Sequence, residues 1–463
     1  MKHEQVRPFG FRDKLGYLFG DFGNDFTFIL STMILMKFYT DVMGVSAGAV
    51  GVIMMLARVV DAFTDIAMGR ITDAARTTPA GKFKPWLLRL CVPVALSSFL
   101  MYQSGLAGLS TGAKITYLTF TYILWGSFCY TGINIPYGSM ASAISADPDD
   151  RQSLSTYRTM GGMLAGMVIG IGLPLIAYTK DAAGNTVLVG RQVTMAAGIF
   201  SVLSIVCCLL CYKLVTERVH IDDPEEASGQ SLGQMLKSAL QNRSLVAIIV
   251  ASIVMLLAQL TMQNMAGYIF PNYYGSAQAQ SASTACMMIG MSVAAAIAKP
   301  LAHKFGKAEI SAVSNLFSAV VNLLLFFIRP ANVWVYIGFQ TISWLGLGVF
   351  SMVSWALITD VIDDVEVKNG VREDGLVYAL YSWARKLGQA ASAGLTGWLL
   401  ELIGYNTATA FDPAVTNGIF NISVLVPVIG FAGLAAVLWF WYPLRKEQVD
   451  TNVEILKRKH GRQ

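Results

Sequence analysis

The stretch Ala57-Arg58-Val59-Val60-Asp61-Ala62-Phe63-Thr64-Asp65 decides how the chain is read, because it carries charge inside an apolar run, residues 46–74. A run of that length reads as a membrane-spanning helix. Asp61 and Asp65 are four residues apart, so on a helix they stand on one face, one turn above the other. A carboxylate near the centre of a bilayer costs on the order of several kcal/mol, and acids within spans point to a functional role. Two so close together also repel, which makes the pair an acceptor for a proton or a small cation. The plainer alternative is a structural ion network in which Arg58 and a distant lysine neutralise both acids.

The rest of the chain has the same character. Hydrophobic residues make up 54% of it and charged residues 14%, with a mean hydropathy of +0.53. A soluble domain carries about 25% charged residues, so the composition points to a polytopic protein in a lipid bilayer. Apolar runs long enough to span fall at 14–41, 46–74, 85–105, 112–142, 153–179 and 192–215. A polar stretch follows, and then six more runs at 243–273, 279–303, 308–328, 332–362, 374–404 and 416–443. They predict an all-α membrane protein of twelve transmembrane helices. Residues 1–14 are polar and basic, and the first apolar run is too long for a cleaved signal core.

With the N-terminus inside, the outer connections hold only Lys114, Lys180, Arg191 and Arg329. The inner ones hold Arg76, Lys82, Lys84, Arg89, Lys237, Arg243, Lys304, Lys307 and the basic tail from Arg445 to Arg462. This asymmetry predicts both termini on the cytoplasmic side. It also explains the net charge of +5 without nucleic acid. The six cysteines lack metal-ligand or paired-loop spacing and read as packing residues, and the four histidines fall at or beyond helix ends. No Walker A loop, metalloprotease pair or dinucleotide fingerprint occurs, so no enzyme and no cofactor is expected beyond a coupling cation.

The runs divide six and six about the polar segment. The expected organisation is a bundle over 1–216, a cytoplasmic loop over 217–242, a second bundle over 243–444 and a tail over 445–463. Gly81-Lys82-Phe83-Lys84 in the first half is echoed by His303-Lys304-Phe305-Gly306-Lys307 in the second. Two such pseudo-symmetric halves fit an alternating-access transporter.

Polar residues at matched depth supply the candidate site. In the first run, Asn24 and Asp25 lie beside glycines, Asp25 roughly 16 Å along the axis, close to the depth of Asp61; a carboxylate there can accept two hydrogen bonds from a polyol. Asp21 reads as a helix-end charge. In the fourth run Tyr130, Thr131 and Asn134 precede Pro136, which is expected to kink the helix and free carbonyls; Thr131 offers an oxygen to a cation and Asn134 an amide to a hydroxyl, unless both are interhelical glue. Arg158 can neutralise buried acids or bind a ligand. In the second half, Trp355, Ser382, Trp383 and Lys386 join the site, Trp383 as a surface for a sugar ring and Lys386 as a counter-ion for Asp61 or Asp65. Asp360, Asp363 and Glu366, spaced by threes, are placed to latch a gate against basic inner loops.

In combination these stretches closely resemble the glycoside-pentoside-hexuronide:cation symporters of the major facilitator superfamily. The residues that carry the resemblance are Phe22-Gly23-Asn24-Asp25-Phe26, Phe38-Tyr39-Thr40-Asp41, Asp61-Ala62-Phe63-Thr64-Asp65, Gly81-Lys82-Phe83-Lys84-Pro85-Trp86, Asn134-Ile135-Pro136-Tyr137-Gly138, Asp360-Val361-Ile362-Asp363-Asp364-Val365-Glu366 and Arg385-Lys386-Leu387-Gly388. The resemblance implies two six-helix bundles, a central sugar site and coupled cation entry. It makes Asp61, Asp65, Thr64 and Thr131 candidate cation ligands and Asp25 and Lys386 sugar-site residues. Where the melibiose carriers of the family have an aspartate and a tryptophan, this chain has Asn134 and Gly138, as the glucuronide branch does. Where they use an asparagine for sodium, Thr64 stands; a hydroxyl is a weaker cation ligand than an amide carbonyl, which favours H+ over Na+. Lys37, near the outer end of the first run, either favours an acidic sugar or snorkels to the interface.

The expected protein is therefore a symporter of a small sugar or glycoside with H+ or Na+, working as a monomer. An uncoupled sugar facilitator or sensor, and a drug-type antiporter on the same fold, are the alternatives.

Overall fold

The computed structural model describes residues 7–219, 242–369 and 374–460. By contacts the chain falls into two compact units, Met1–Ala227 with Leu400–Ala410, and Ser228–Leu399 with Phe411–Gln463.

In the first unit, α1 (Phe11–Lys37) ends in a π-helical turn (Phe38–Val42), followed by α2 (Ala47–Asp73) and α3 (Lys84–Leu100). Next, α4 (Thr111–Ile123) and α5 (Thr131–Ile144) are joined without a break by a π-helical turn (Leu124–Tyr130). Then come α6 (Pro148–Ala177), an antiparallel hairpin of β1 (Tyr178–Lys180) and β2 (Thr186–Leu188), and α7 (Gly190–Leu214). Helix α1 packs along α6 and α7, α3 along α7, and α2 against α5 and the π turn before it.

The second unit holds α8 (Arg243–Tyr268), α9 (Ala277–Phe305), α10 (Lys307–Ile328), α11 (Val333–Asn369), α12 (Asp374–Leu402), α13 (Pro413–Ala436) and a final α14 (Lys446–His460). Helix α11 packs along α9 and α10, α13 along α8 and α10, and α14 against α11. Its core is built from side chains such as Leu256, Phe350, Leu357, Tyr381 and Leu434. A buried polar ladder ties α10 to α11: Ser318 Oγ donates to Ser343 O at 2.8 Å, and Asn322 Nδ2 to Ser343 Oγ at 2.5 Å. Gly346 lets the backbone of Ser314 approach, the small-residue packing that helices use where no hydrophobic force separates them from lipid.

The twelve apolar runs thus coincide with twelve helical rods among the described residues, taking α4 and α5 as one, and eight helices are long and apolar enough to cross a membrane. Helix α2 shows the logic. Val52, Leu56, Val59, Phe63 and Ile66 form an exposed apolar stripe at intervals of four and three. The opposite stripe, Val50, Met54, Ala57, Asp61 and Met68, is buried, so the acids face protein and the hydrocarbon faces lipid.

Several expectations need correction. Helix α6 starts at Pro148 instead of 153, because Asp147 accepts from the amides of Asp149 and Asp150 and Pro148 takes the first helical position. Helix α5 runs through Pro136, and a further irregularity that was not expected, the π turn, precedes it. The β1–β2 hairpin was not foreseen. The expected loop 217–242 lies mostly outside the described residues.

Its first residues do something specific. Glu217 accepts backbone N–H bonds from Lys82 (2.7 Å), Phe83 (3.0 Å) and Lys84 (2.7 Å), and so caps the N-terminus of α3 inside the Gly81-Lys82-Phe83-Lys84 loop. Gly81, at φ 115°, is in a backbone region that suits glycine, and its missing Cβ leaves room for that carboxylate.

Candidate functional site

Asp61 and Asp65 of α2 each meet a hydroxyl. Ser127 Oγ donates to Asp61 Oδ1 at 2.5 Å, and Thr131 Oγ1 donates to Asp65 Oδ1 at 2.7 Å. The two bonds form parallel rungs, because the acids are four residues apart on α2 and the hydroxyls four apart through the π turn. That turn adds a residue to the helical repeat and presents Ser127, Thr131 and the carbonyl of Gly126 to α2. The proton of Thr131 has a second acceptor in Gly126 O at 3.1 Å. A Cβ at Gly126 would lie 3.3 Å from Asp61 Oδ1, so glycine there permits the close approach. Asp61, Ser127 and Thr131 are buried and Asp65 is half-buried.

Arg58 completes the cluster. Its Nη1 lies 3.3 Å from Asp61 Oδ2, and its guanidinium stands 4.9 Å from the ring of Phe28 and 5.9 Å from those of Tyr122 and Trp125. Those faces hold the cation in place. The ion pair therefore exists: Arg58 meets Asp61, and Thr131 meets Asp65. Thr64, expected beside the cation, turns its hydroxyl to the carbonyl of Asp61 on its own helix at 3.2 Å. Ser127 was not anticipated. The only signal was that it precedes Thr131 by four, as Asp61 precedes Asp65.

A second group lies along α1 and α6. Arg158 Nε donates to Asp21 Oδ1 at 3.0 Å and its guanidinium sits 5.2 Å from the ring of Tyr137. Asp21 is thus a paired, buried acid and not a loose helix-end charge. The side chain of Asp25, one turn on, has no hydrogen bond or ion pair among the described residues, and a Cβ on Gly162 would stand 2.7 Å from its Oδ2. Gly138 leaves space beside Arg158, whose Nη1 is 3.6 Å from the position a Cβ would take. Tyr130 links the groups: its ring stacks on Phe28 at 5.5 Å and lies 5.4 Å from Trp125, and it is within electrostatic reach of Asp25 and Arg58. Asn24 is buried and Asn134 half-buried.

Lys37 is held by protein groups. It is 2% exposed, with Nζ 2.7 Å from Asp41 Oδ2 and donating to Tyr405 Oη at 3.0 Å, while Tyr405 donates to Asp41 Oδ1 at 2.7 Å.

In the second unit Trp355 and Trp383 are exposed, as is Ser382, and Lys386 is half-buried. Trp355 meets Tyr381 edge-on at 5.1 Å, with Arg385 5.9 Å from both rings. Of the acids expected at a gate, Asp360 pairs with Lys307 at 2.5 Å across a cavity of about 550 Å³ that also touches α14. Asp363 is half-buried and Glu366 buried. The neighbouring Asp364 accepts bonds from Ser244 (3.1 Å), Lys368 (2.7 Å) and Asn452 (3.4 Å).

Two carboxylates, two hydroxyls and a carbonyl can bind one proton or one small monovalent cation. Among the described residues no group of three His, Cys, Asp or Glu side chains converges to hold a metal.

The profile of the family described as MFS/sugar transport protein matches residues 16–446. An uncharacterized symporter of Bacillus subtilis is 30% identical over 98% of this chain and 97% of its own length. The glucuronide carrier protein homolog of Escherichia coli is 30% identical over 98% and 97%, and the isoprimeverose transporter of Lactiplantibacillus pentosus 29% identical over 100% and 94%. In fold, the chain is similar to a bacterial homolog of the human lysosomal transporter Spinster (TM-score 0.67, 10% identity, 95% of this chain and 96% of that one). It is also similar to a D-xylose-proton symporter (TM-score 0.60, 13% identity, 93% and 97%).

Proposed function

Because the chain belongs to the MFS/sugar transport protein family, and is a multi-pass membrane transporter and not an enzyme, we propose that it imports a glycoside, pentoside or hexuronide by symport with a cation, H+ in preference to Na+. The observation that carries this reading is the pair of carboxylate–hydroxyl rungs, Asp61 with Ser127 and Asp65 with Thr131. Asp61 and Asp65 stand one turn apart with a hydroxyl on each, and their oxygens can accept a proton or ligate a small cation beside Arg58.

In the first unit the proposed sugar contacts are Asp25, with Asn24, Tyr130, Asn134 and Arg158 around it; in the second unit they are Trp355, Ser382, Trp383 and Lys386. Asp25 has the acceptor oxygens that a polyol's hydroxyls require, and the exposed indoles offer the apolar face of a sugar a surface. Asp360, Asp363 and Glu366 serve gating. Both termini are cytoplasmic, and the protein works as a monomer in the bacterial inner membrane. The names of similar proteins, a glucuronide carrier homolog and an isoprimeverose transporter, support the substrate class.

The test is uptake of a panel of radiolabelled sugars and uronides into proteoliposomes under an imposed pH or sodium gradient. Accumulation of one compound under a pH gradient is the expected result. Equilibration without accumulation under either gradient would make the protein a facilitator.

A further inference from the structure

The first unit contains a set of buried polar atoms that none of these roles uses. Among the described residues the hydroxyl of Tyr102 and the indole N–H of Trp125 have no hydrogen-bond partner, the hydroxyls of Tyr39 and Tyr122 have only loose contacts with Thr121 and Arg58, and all four residues are at most 1% exposed. A buried donor left dry costs about 1–3 kcal/mol, and buried polar groups are otherwise met by protein or by ordered water. Phenylalanine would fill the same space at the three tyrosines without that cost.

The positions are not scattered. Tyr39 lies in the π-helical turn that ends α1, and Tyr102 in the turn after α3; the ring of Phe38 is 5.5 Å from the first and 5.7 Å from the second. Tyr102 is within electrostatic reach of both Tyr39 and Tyr122. Tyr122 stands on α4, roughly 16 Å along its axis from the helix start, within reach of Arg58 and Asp61, with its ring 5.6 Å from Trp125. The set runs from one end of the unit to the carboxylate pair. Other titratable groups along it are Tyr117 and the Lys37–Asp41 pair near Tyr39, and Arg58, Asp61 and Tyr130 at the far end.

We infer that Tyr39, Tyr102, Tyr122 and Trp125 line a file of bound water through which the coupling proton travels between the end of α1 and Asp61–Asp65. The inference rests on the proton-coupled reading above. A tyrosine hydroxyl both donates and accepts, so it continues a chain of waters in either direction; the indole N–H donates only, and anchors a water without relaying. An excess proton entering beside Tyr39 is passed from water to water or through a hydroxyl that gives up one proton as it receives another. It comes to rest on a carboxylate of the pair, and every hydroxyl ends with the proton it began with.

Tyr102→Phe and Tyr122→Phe keep the rings and remove the relay. In proteoliposomes of the full chain with an entrapped pH dye, proton uptake triggered by sugar is expected to be about tenfold slower in each variant, with equilibrium sugar affinity unchanged. Unaltered rates in both would overturn the file, and so would a parallel loss of sugar binding, which marks a packing role. Radiolytic hydroxyl-radical labelling of the unmodified protein in 18O water reads bound water directly: labelled Tyr102 and Tyr122 support the file despite their burial, and unlabelled ones overturn it. Wild type that takes up sugar with sodium and without protons would sink the coupling reading instead, and the labelling would then decide whether the file holds water.

Discussion

Asp61 and Asp65 share one face of α2, yet their surroundings differ: Asp61 receives a hydroxyl and an arginine, Asp65 a hydroxyl. Asp61→Asn and Asp65→Asn each remove a charge that a coupling cation must neutralise, so both variants are expected to lose accumulation against a gradient in proteoliposomes; retained accumulation in either would end its role in coupling. Ser127→Ala is a milder change. It deletes one hydrogen bond to a carboxylate, about 1.5–3 kcal/mol at most, and is expected to shift the half-saturating cation concentration by about tenfold or more while uptake persists at saturation. Lys37 makes the opposite case. Its charge is buried and paired with Asp41, and removing one partner of such a pair leaves the other uncompensated. Lys37→Met is expected to lower stability by about 3–5 kcal/mol, measured by thermal unfolding in detergent, and Asp41→Leu in the same chain should restore part of it. A lysine that served only the substrate would lose uptake with no change in unfolding.

At the scale of elements, the site depends on a π-helical turn and a cap. The π turn Leu124–Tyr130 brings Ser127, Thr131 and Gly126 onto one side of the α4–α5 rod. Gly126→Ala puts a methyl 3.3 Å from Asp61 Oδ1, a tight contact that the carboxylate relieves by moving a few tenths of an ångström off its rung; coupled uptake should fall modestly while the fold, read by circular dichroism, remains. Glu217 acts on another element, closing three amides at the start of α3 with one carboxylate. Glu217→Ala leaves those donors open at the positive end of a helix dipole, and about 2 kcal/mol of stability should go with it. Neither feature was legible in the chain. A π turn obeys neither of the periods on which sequence patterns rest, and the cap joins residues about 135 apart. What was legible is local: the acids on α2, recognised from a four-residue spacing within an apolar run, and the rods themselves, since hydropathy and length act residue by residue.

For the whole molecule, the limits of that legibility explain where function concentrates. Lys37 could be read as an interfacial lysine because its partner Tyr405 lies 368 residues away, in the segment Leu400–Ala410 that contacts the first unit although the helix before it belongs to the second. Long-range pairing of this kind has no sequence period. The same holds for Arg158 with Asp21, 137 residues apart, and for both rungs, 66 apart. Polar groups joined across such separations make a network in which Tyr130 touches the surroundings of both Asp25 and Arg58, so charge at one end is felt at the other. Coupling between cation and sugar then has a thermodynamic signature. If the cation raises sugar affinity by some factor, sugar must raise cation affinity by the same factor. Typical coupling of 1–3 kcal/mol corresponds to about 5–150-fold. Isothermal titration of the purified protein with sugar at several cation concentrations, and of cation at several sugar concentrations, should return two equal factors in that range. Tyr130→Leu removes a ring that also stands beside Asp25, so it should weaken sugar binding on its own and shrink both factors together. A variant that loses one affinity and keeps the factor would place Tyr130 in a single site, and coupling would then have to run through other residues.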